Sequence, residues 1–138
     1  MVVLSLFNGA NTGRVALENI GIKVKKYYSS EIKSYAIKLT NHHYKDTINL
    51  GDINKWRQWD ICWEEIDLVL SGSPCQDLSS IGSGKGLLGD KSSLFFVFVE
   101  ILNHIKNKNK NVLFLQENVA SANKKDVGII SRCLGVLS

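Results

Sequence analysis

One thiol stands directly after the only proline of the chain, in Ser71-Gly72-Ser73-Pro74-Cys75. Pro74 fixes its own φ and biases Ser73 toward extended geometry. The apolar run Ile66-Asp67-Leu68-Val69-Leu70 comes just before and reads as a buried strand. A strand that ends in such a loop presents Cys75 near a helix N-terminus, where a thiolate is favoured. That is a setting for a nucleophile; an inert core cysteine is the plain alternative. Hydrolytic chemistry would need a histidine base. His42, His43 and His104 are expected on helix ends far from this strand tip, as surface residues.

Carboxylates form the second set. Glu117 follows Val112-Leu113-Phe114-Leu115 and Gln116, and a carboxylate after a buried strand is costly without a partner or a task. A structural hydrogen bond to a neighbouring loop is its alternative. Glu31, at the end of the second apolar segment, suits hydrogen bonding to ribose hydroxyls, or it favours a helix N-terminus through the dipole. Asp52 could accept from an adenine amino group, or cap a helix. Asn8-Gly9-Ala10-Asn11-Thr12-Gly13 is a turn in which glycines let the backbone approach a ligand closely. It is not G-x-G-x-x-G, which disfavours a dinucleotide site.

These residues need a scaffold. Strands are expected at Val2–Phe7, Val24–Ser29, Thr47–Leu50, Ile66–Leu70 and Val112–Leu115. Helices are expected from the first turn to about Asn19, stopping at Gly21, over Ile32–Leu39 with Ile32, Ala36 and Leu39 on one face, from Ser92 or Ser93 to about Lys106, and over roughly Lys124–Leu134. Trp56, Trp59, Ile61 and Trp63 fall in an irregular or weakly helical linker, the tryptophans as packing residues. The glycine-rich stretch Ser79–Gly89 reads as a loop. Alternating strands and helices predict an α/β domain with a parallel sheet, whose ligand site lies beyond the carboxyl ends of the strands. Gly9, Glu31, Asp52, Cys75 and Glu117 each follow a strand.

Composition sets the frame. The 138 residues make one domain, able to bury roughly 68% of its unfolded surface. The net charge of +4 permits contact with nucleic acid without requiring it. Lys106, Lys108 and Lys110, alternating with asparagine, read as a solvated loop after a helix. Three cysteines without C-x-x-C spacing argue against a disulfide framework or a metal site, and reduced thiols suit an intracellular compartment. The segment Val2–Phe7 is too short to span a membrane, and no basic signal-peptide region precedes it. A cytoplasmic protein is expected.

Val3-Leu4-Ser5-Leu6-Phe7-Asn8-Gly9, Ser30-Glu31, Gly51-Asp52-Ile53, Ser73-Pro74-Cys75-Gln76 and Glu117-Asn118-Val119, in this order, resemble the N-terminal catalytic half of DNA (cytosine-5)-methyltransferases, in the branch of the de novo-type and phage or bacterial enzymes. The resemblance implies a Rossmann-like methyltransferase fold of sheet order about 3-2-1-4-5-7-6, with strands one to five in this chain. It implies S-adenosylmethionine as cofactor, double-stranded DNA with a flipped cytosine as substrate, and a bacterial or phage-infected cytoplasm. Cys75 matches the nucleophile that attacks C6 of cytosine, and Glu117 the acid on the N3/N4 edge of the base. Phe7, Asn8, Gly9, Ala10, Asn11 and Thr12 match the cofactor turn. Glu31 with Ile32 matches the ribose ligand, Asp52 and Ile53 the adenine pocket, and Pro74 and Leu94 further cofactor contacts. Asn8 stands where the family usually has Asp, and Ser93 where a basic residue often precedes the Leu-Phe-Phe sequence. The family's Gln-x-Arg-x-Arg strand and target-recognition region are expected outside this chain, leaving strand five as an exposed apolar edge. Two other readings stay open: an inactive remnant or regulatory subunit that binds a complementary partner, and methylation of transfer RNA.

Overall fold

The computed structural model describes residues 1–9, 11–72, 94–117, 131, 132 and 135. Five parallel strands form one sheet: β1 (Val2–Leu6), β2 (Lys26–Ser30), β3 (Ile48–Asn49), β4 (Leu68–Ser71) and β5 (Leu113–Gln116). Their order is β3-β2-β1-β4-β5, as the resemblance implies. The helices are α1 (Thr12–Asn19), α2 (Ser34–His43) and α3 (Leu94–Lys108), with two 3₁₀ segments at Ile53–Gln58 and Trp63–Glu65.

β1 is central and buried on both faces, which is why it reads as a continuous apolar run and not as an alternation. Side chains alternate across the sheet. Val3 goes to one face with Tyr27 of β2 and Leu17 of α1. Val2, Leu4 and Leu6 go to the other, where Phe95, Phe98, Ile101, Leu102 and Ile105 of α3 build the larger core. Each of these buried α3 side chains contributes about 1.5–3 kcal/mol. Their spacing is helical, so the Leu94–Ile105 stretch forms a helix although its composition also suits a strand.

Four details refine or depart from the sequence expectations. The first is α2, which starts at Ser34 and runs to His43. The carboxylate of Glu31 accepts from Ile32 N at 2.9 Å and Lys33 N at 3.3 Å, holding those residues in a turn before the helix. The buried face of α2 is therefore Ala36 and Thr40, while Ile32 is 70% exposed. The second is the tryptophan segment, where the weakly helical alternative holds: Trp56 and Trp63 lie in the two 3₁₀ segments and Trp59 ends the first, with Trp56 edge-on to Trp63 and Trp59 stacked on Trp63. The packing role expected for the tryptophans holds. The third is His104, which sits between Trp56 and Trp63, with ring centroids at 5.3 and 5.0 Å. It is half-buried and not a surface residue. The fourth is the lysine run, of which Lys106 and Lys108 belong to α3, with Lys106 Nζ 4.8 Å from the centre of the Phe114 ring.

β5 is an edge of this sheet among the described residues, and Leu113 and Leu115 are 62% and 64% exposed. The expected apolar edge is present. The loop expected at 79–89 and the cap at Ser92 or Ser93 lie outside the described residues, as does most of the helix expected over 124–134. No helix among the described residues is long and apolar enough to cross a membrane.

Arg14 ties α1 to the turn before β3. Its guanidinium donates to Asp46 Oδ2 at 2.7 Å and Thr47 Oγ1 at 3.1 Å, and it lies over the Tyr44 and Tyr27 rings at 4.5 and 5.5 Å. The hydrogen bond from Arg14 holds the Asp46 carboxyl below its ordinary range, against a smaller opposing effect of burial. A depressed carboxyl stabilises the fold above its unfolded pKa of about 4, and that contribution is lost as the pH falls through the folded value. Asp46 is 68% exposed at its side chain, so the contribution at neutral pH is at most about 1 kcal/mol. Asp46→Asn should lower the urea midpoint at pH 7 and lower it less at pH 3, below the unfolded pKa, where part of the contribution is already lost. An equal loss at both values would contradict this pairing.

Candidate functional site

The carboxyl ends of β1, β2 and β4 surround a cleft of about 300 Å³. Phe7 and Gly9 come from the turn after β1, Glu31 and Ile32 from the end of β2, Asp52 and Ile53 from beyond β3, and Leu94 from the start of α3. Residues from separate stretches of the chain converge here because a parallel sheet sends every strand's carboxyl end to the same side.

The turn after β1 is unusual in its backbone. Phe7, Gly9 and Asn11 have φ of 57°, 56° and 67°, a left-handed region that suits glycine and asparagine but not phenylalanine. The turn is held by the neighbouring strand. Gly9 N donates to Glu31 Oε1 at 2.9 Å, and Asn8 N to Ser30 O at 3.3 Å. Glu31 thus does two structural tasks, anchoring the turn with one oxygen and the start of the α2 segment with the other. Each carboxylate oxygen has two lone pairs, so the two tasks use three of the four and leave one, on Oε1, for a hydroxyl donor in the cleft. Asp52 likewise caps the first 3₁₀ segment, accepting from Asn54 N at 2.9 Å. Of the two readings of Asp52, the cap is present; a further acceptor role is compatible with it.

A second cleft of about 360 Å³ adjoins the first and shares Phe7, Gly9 and Gly72 with it. Thr12 and Glu117 line it. Parallel pairing of β4 with β5 brings Glu117 beside the end of β4, with Glu117 N donating to Ser71 O at 2.8 Å. Its Oε2 lies 3.5 Å from where a Cβ would stand on Gly72. Glu117 is therefore next to the segment that leads to Cys75.

Asn8 is 9% exposed, and its amide is bonded in the interior to Tyr27 and Thr40. Asn11 is 1% exposed and forms the N-cap of α1 with its backbone, Arg14 N and Val15 N donating to its carbonyl. Ala10, Pro74 and Cys75 lie outside the described residues. Residues that the sequence reading passed over also line the first cleft: Ser30, Lys33, Asn54 and Gly72. Ser30 Oγ donates to Gly51 O at 2.8 Å, which fixes the loop carrying Asp52. The position of Ser30 beside Glu31 was its one visible signal. His42 and His43 end α2 as expected, whereas His104 lies inside α3, more than a turn before its end; none of the three lines either cleft.

A family model described as C-5 cytosine-specific DNA methylase matches residues 1–135. The chain belongs to the C-5 cytosine-specific DNA methylase family. Among relatives of this methylase, the orphan methyltransferase M.SPRI of Bacillus phage SPR is 36% identical over 128 residues, covering 91% of this chain and 28% of that protein. M.Rho11sI of Bacillus phage rho11s is also 36% identical over 128 residues, covering 91% of this chain and 24% of that protein. M.SPBetaI of Bacillus phage SPbeta is 39% identical over 87 residues, covering 62% of the chain and 19% of the relative. The chain thus spans about a quarter or less of the length of these relatives. A crystal structure of a mutant of Spodoptera frugiperda DNMT2 matches with a TM-score of 0.62 and 17% identity, over 97% of this chain and 40% of that one. That likeness is one of fold, the methyltransferase arrangement of parallel sheet and helices.

Proposed function

We propose that this methylase-family chain carries the S-adenosylmethionine site and the nucleophile for methylation of cytosine at C5 in DNA. The observation that supports it most is the cleft in which Gly9, Glu31, Asp52, Ile53 and Leu94 come together. Its volume suits a nucleoside-sized group. Its chemistry is mixed in the required way: two carboxylates for hydroxyl and amino donors, backbone at Gly9 for close approach, and apolar side chains at Phe7, Ile53 and Leu94 for a flat base. The carboxylates also favour a positively charged ligand. S-adenosylmethionine, when bound, supplies an activated methyl group.

The chain's own residues perform the rest. The Cys75 thiolate adds to C6 of cytosine, forming an S–C6 bond and moving the electron pair of the C5–C6 double bond toward C5 and the ring. Glu117 faces the N3/N4 edge and shares a proton with the ring nitrogen as charge builds there, which disperses it. Once C5 carries the methyl group, loss of the C5 proton to a base expels the Cys75 thiolate and restores the double bond. The target base must leave the duplex to reach these groups. In this reading the chain is a partial catalytic domain, with sequence recognition supplied by a complementary region.

Transfer of a labelled methyl group to DNA and to transfer RNA, by the chain alone and with a complementary C-terminal half from a phage relative, tests the proposal. Label in cytosine C5 of DNA is the expected result. Label confined to transfer RNA would overturn the choice of substrate.

A further inference from the structure

Tyr27 stands on β2 with its side chain 1% exposed, and nothing in the chemistry above uses it. Its hydroxyl serves the turn after β1. It donates to Asn8 Oδ1 at 3.3 Å, and a Cβ placed on Gly13 would stand 3.3 Å from it. Gly13 lies in the first turn of α1, so the absence of a side chain there lets the helix settle over Leu70, whose Cδ1 would stand 2.6 Å from that Cβ, and over the phenol. Asn8 passes the contact on, donating from Nδ2 to Thr40 Oγ1 of α2 at 3.4 Å. Its backbone is also bonded at both ends, to Ser30 O and from Asn11 N.

The residues on either side of Asn8 are both left-handed, with φ of 57° at Phe7 and 56° at Gly9. A conformation that a phenylalanine rarely adopts persists only where its surroundings over-determine it. Glu31 restrains the turn from the side of the cleft through Gly9 N. The chain Tyr27–Asn8–Thr40 restrains it from the interior. Burial pushes the Tyr27 phenol above its ordinary value, with Ser5 and Arg14 opposing, so the hydroxyl keeps its proton at neutral pH.

We propose that Tyr27 is a positioning residue for the cofactor turn, acting through the Asn8 amide. The proposal rests on the assignment of the adjoining cleft to S-adenosylmethionine. The ring of Tyr27 packs with Val3 and Leu17, so Tyr27→Phe keeps that packing and removes the hydroxyl with its link to Asn8 and its contacts with Ser5 and Arg14, while Thr40→Val cuts the Asn8 link alone. In Tyr27→Phe, Asn8 Oδ1 loses its partner in a buried place, the turn leaves its binding conformation more often, and apparent affinity falls by the fraction lost.

Two readouts on the whole chain test this. In calorimetric titration with S-adenosylmethionine, Tyr27→Phe should bind about tenfold more weakly than the parent. Thr40→Val, which cuts the other end of the link, should act in the same direction. The double variant should lose less than the product of the two, since both act through one amide. In native-state hydrogen exchange without ligand, the amides of Gly9, Asn11 and Arg14 should exchange about tenfold faster in Tyr27→Phe, with Val69 and Leu4 unchanged. Uniformly faster exchange would mean a packing role alone and overturn the proposal, as would unchanged exchange in the turn. If the parent chain takes up no S-adenosylmethionine, the reading of the cleft fails, while the exchange pattern still decides the role of Tyr27.

Discussion

Cys75→Ala is expected to reduce methyl transfer to cytosine by about four orders of magnitude or more, since removing a covalent nucleophile leaves only binding and electrostatic assistance. Cytosine C5 is a poor nucleophile in an aromatic ring, and addition at C6 is what makes it reactive. Among the described residues lining the second cleft, Glu117 is the one ionisable side chain, and its proposed place at the opposite edge of the base keeps it from substituting for the thiol. Affinity for S-adenosylmethionine should be nearly unaltered, because the substitution changes none of the described side chains that line the first cleft. Transfer of a labelled methyl group by parent and variant, each with the complementary half, reads the effect. Activity that survives the substitution would remove Cys75 from its role.

Glu31→Gln is the second large effect. Glu31 accepts from Gly9 N, Ile32 N and Lys33 N. A glutamine offers one acceptor oxygen and places an amide donor where the other stood. It must therefore give up either the turn after β1 or the start of the α2 segment, and it loses the negative charge. Charge-assisted bonds of this kind are worth about 2 kcal/mol, so S-adenosylmethionine affinity should fall about 30-fold, with a lowered melting temperature. Titration calorimetry and thermal unfolding check the two parts. An affinity within about twofold of the parent, a difference of roughly 0.4 kcal/mol, would mean that Glu31 only holds backbone.

Much of the scaffold was legible because a parallel sheet buried on both faces writes its strands as apolar runs. β1 and β4 stand out for that reason, and the rule that ligands sit beyond strand ends then gathers Gly9, Glu31, Asp52 and Glu117 without further information. What stayed hidden depends on the direction of single side chains. Asn8 is in the right turn, but its amide is bonded inward, and a left-handed backbone on both sides leaves no periodicity from which to read that. The shift of α2 has the same origin, since Glu31 captures two amides that a helix from Ile32 would have used. His104 looked like a surface residue because its partners, Trp56 and Trp63, are distant in sequence. Leu113 and Leu115 read as strand residues correctly, while their exposure follows from the position of β5 in the sheet, which only topology gives.

The central claim is that the cleft beyond β1 and β2 binds S-adenosylmethionine. Amide chemical shifts of the ¹⁵N-labelled chain, followed during titration with S-adenosylmethionine, test it most directly. The account predicts saturable shifts at Gly9, Ile32, Lys33, Ile53, Asn54 and Gly72, with Asn109, Val112 and Lys26 unmoved at the opposite end of the sheet. Shifts centred elsewhere, or none at saturating ligand, would contradict it.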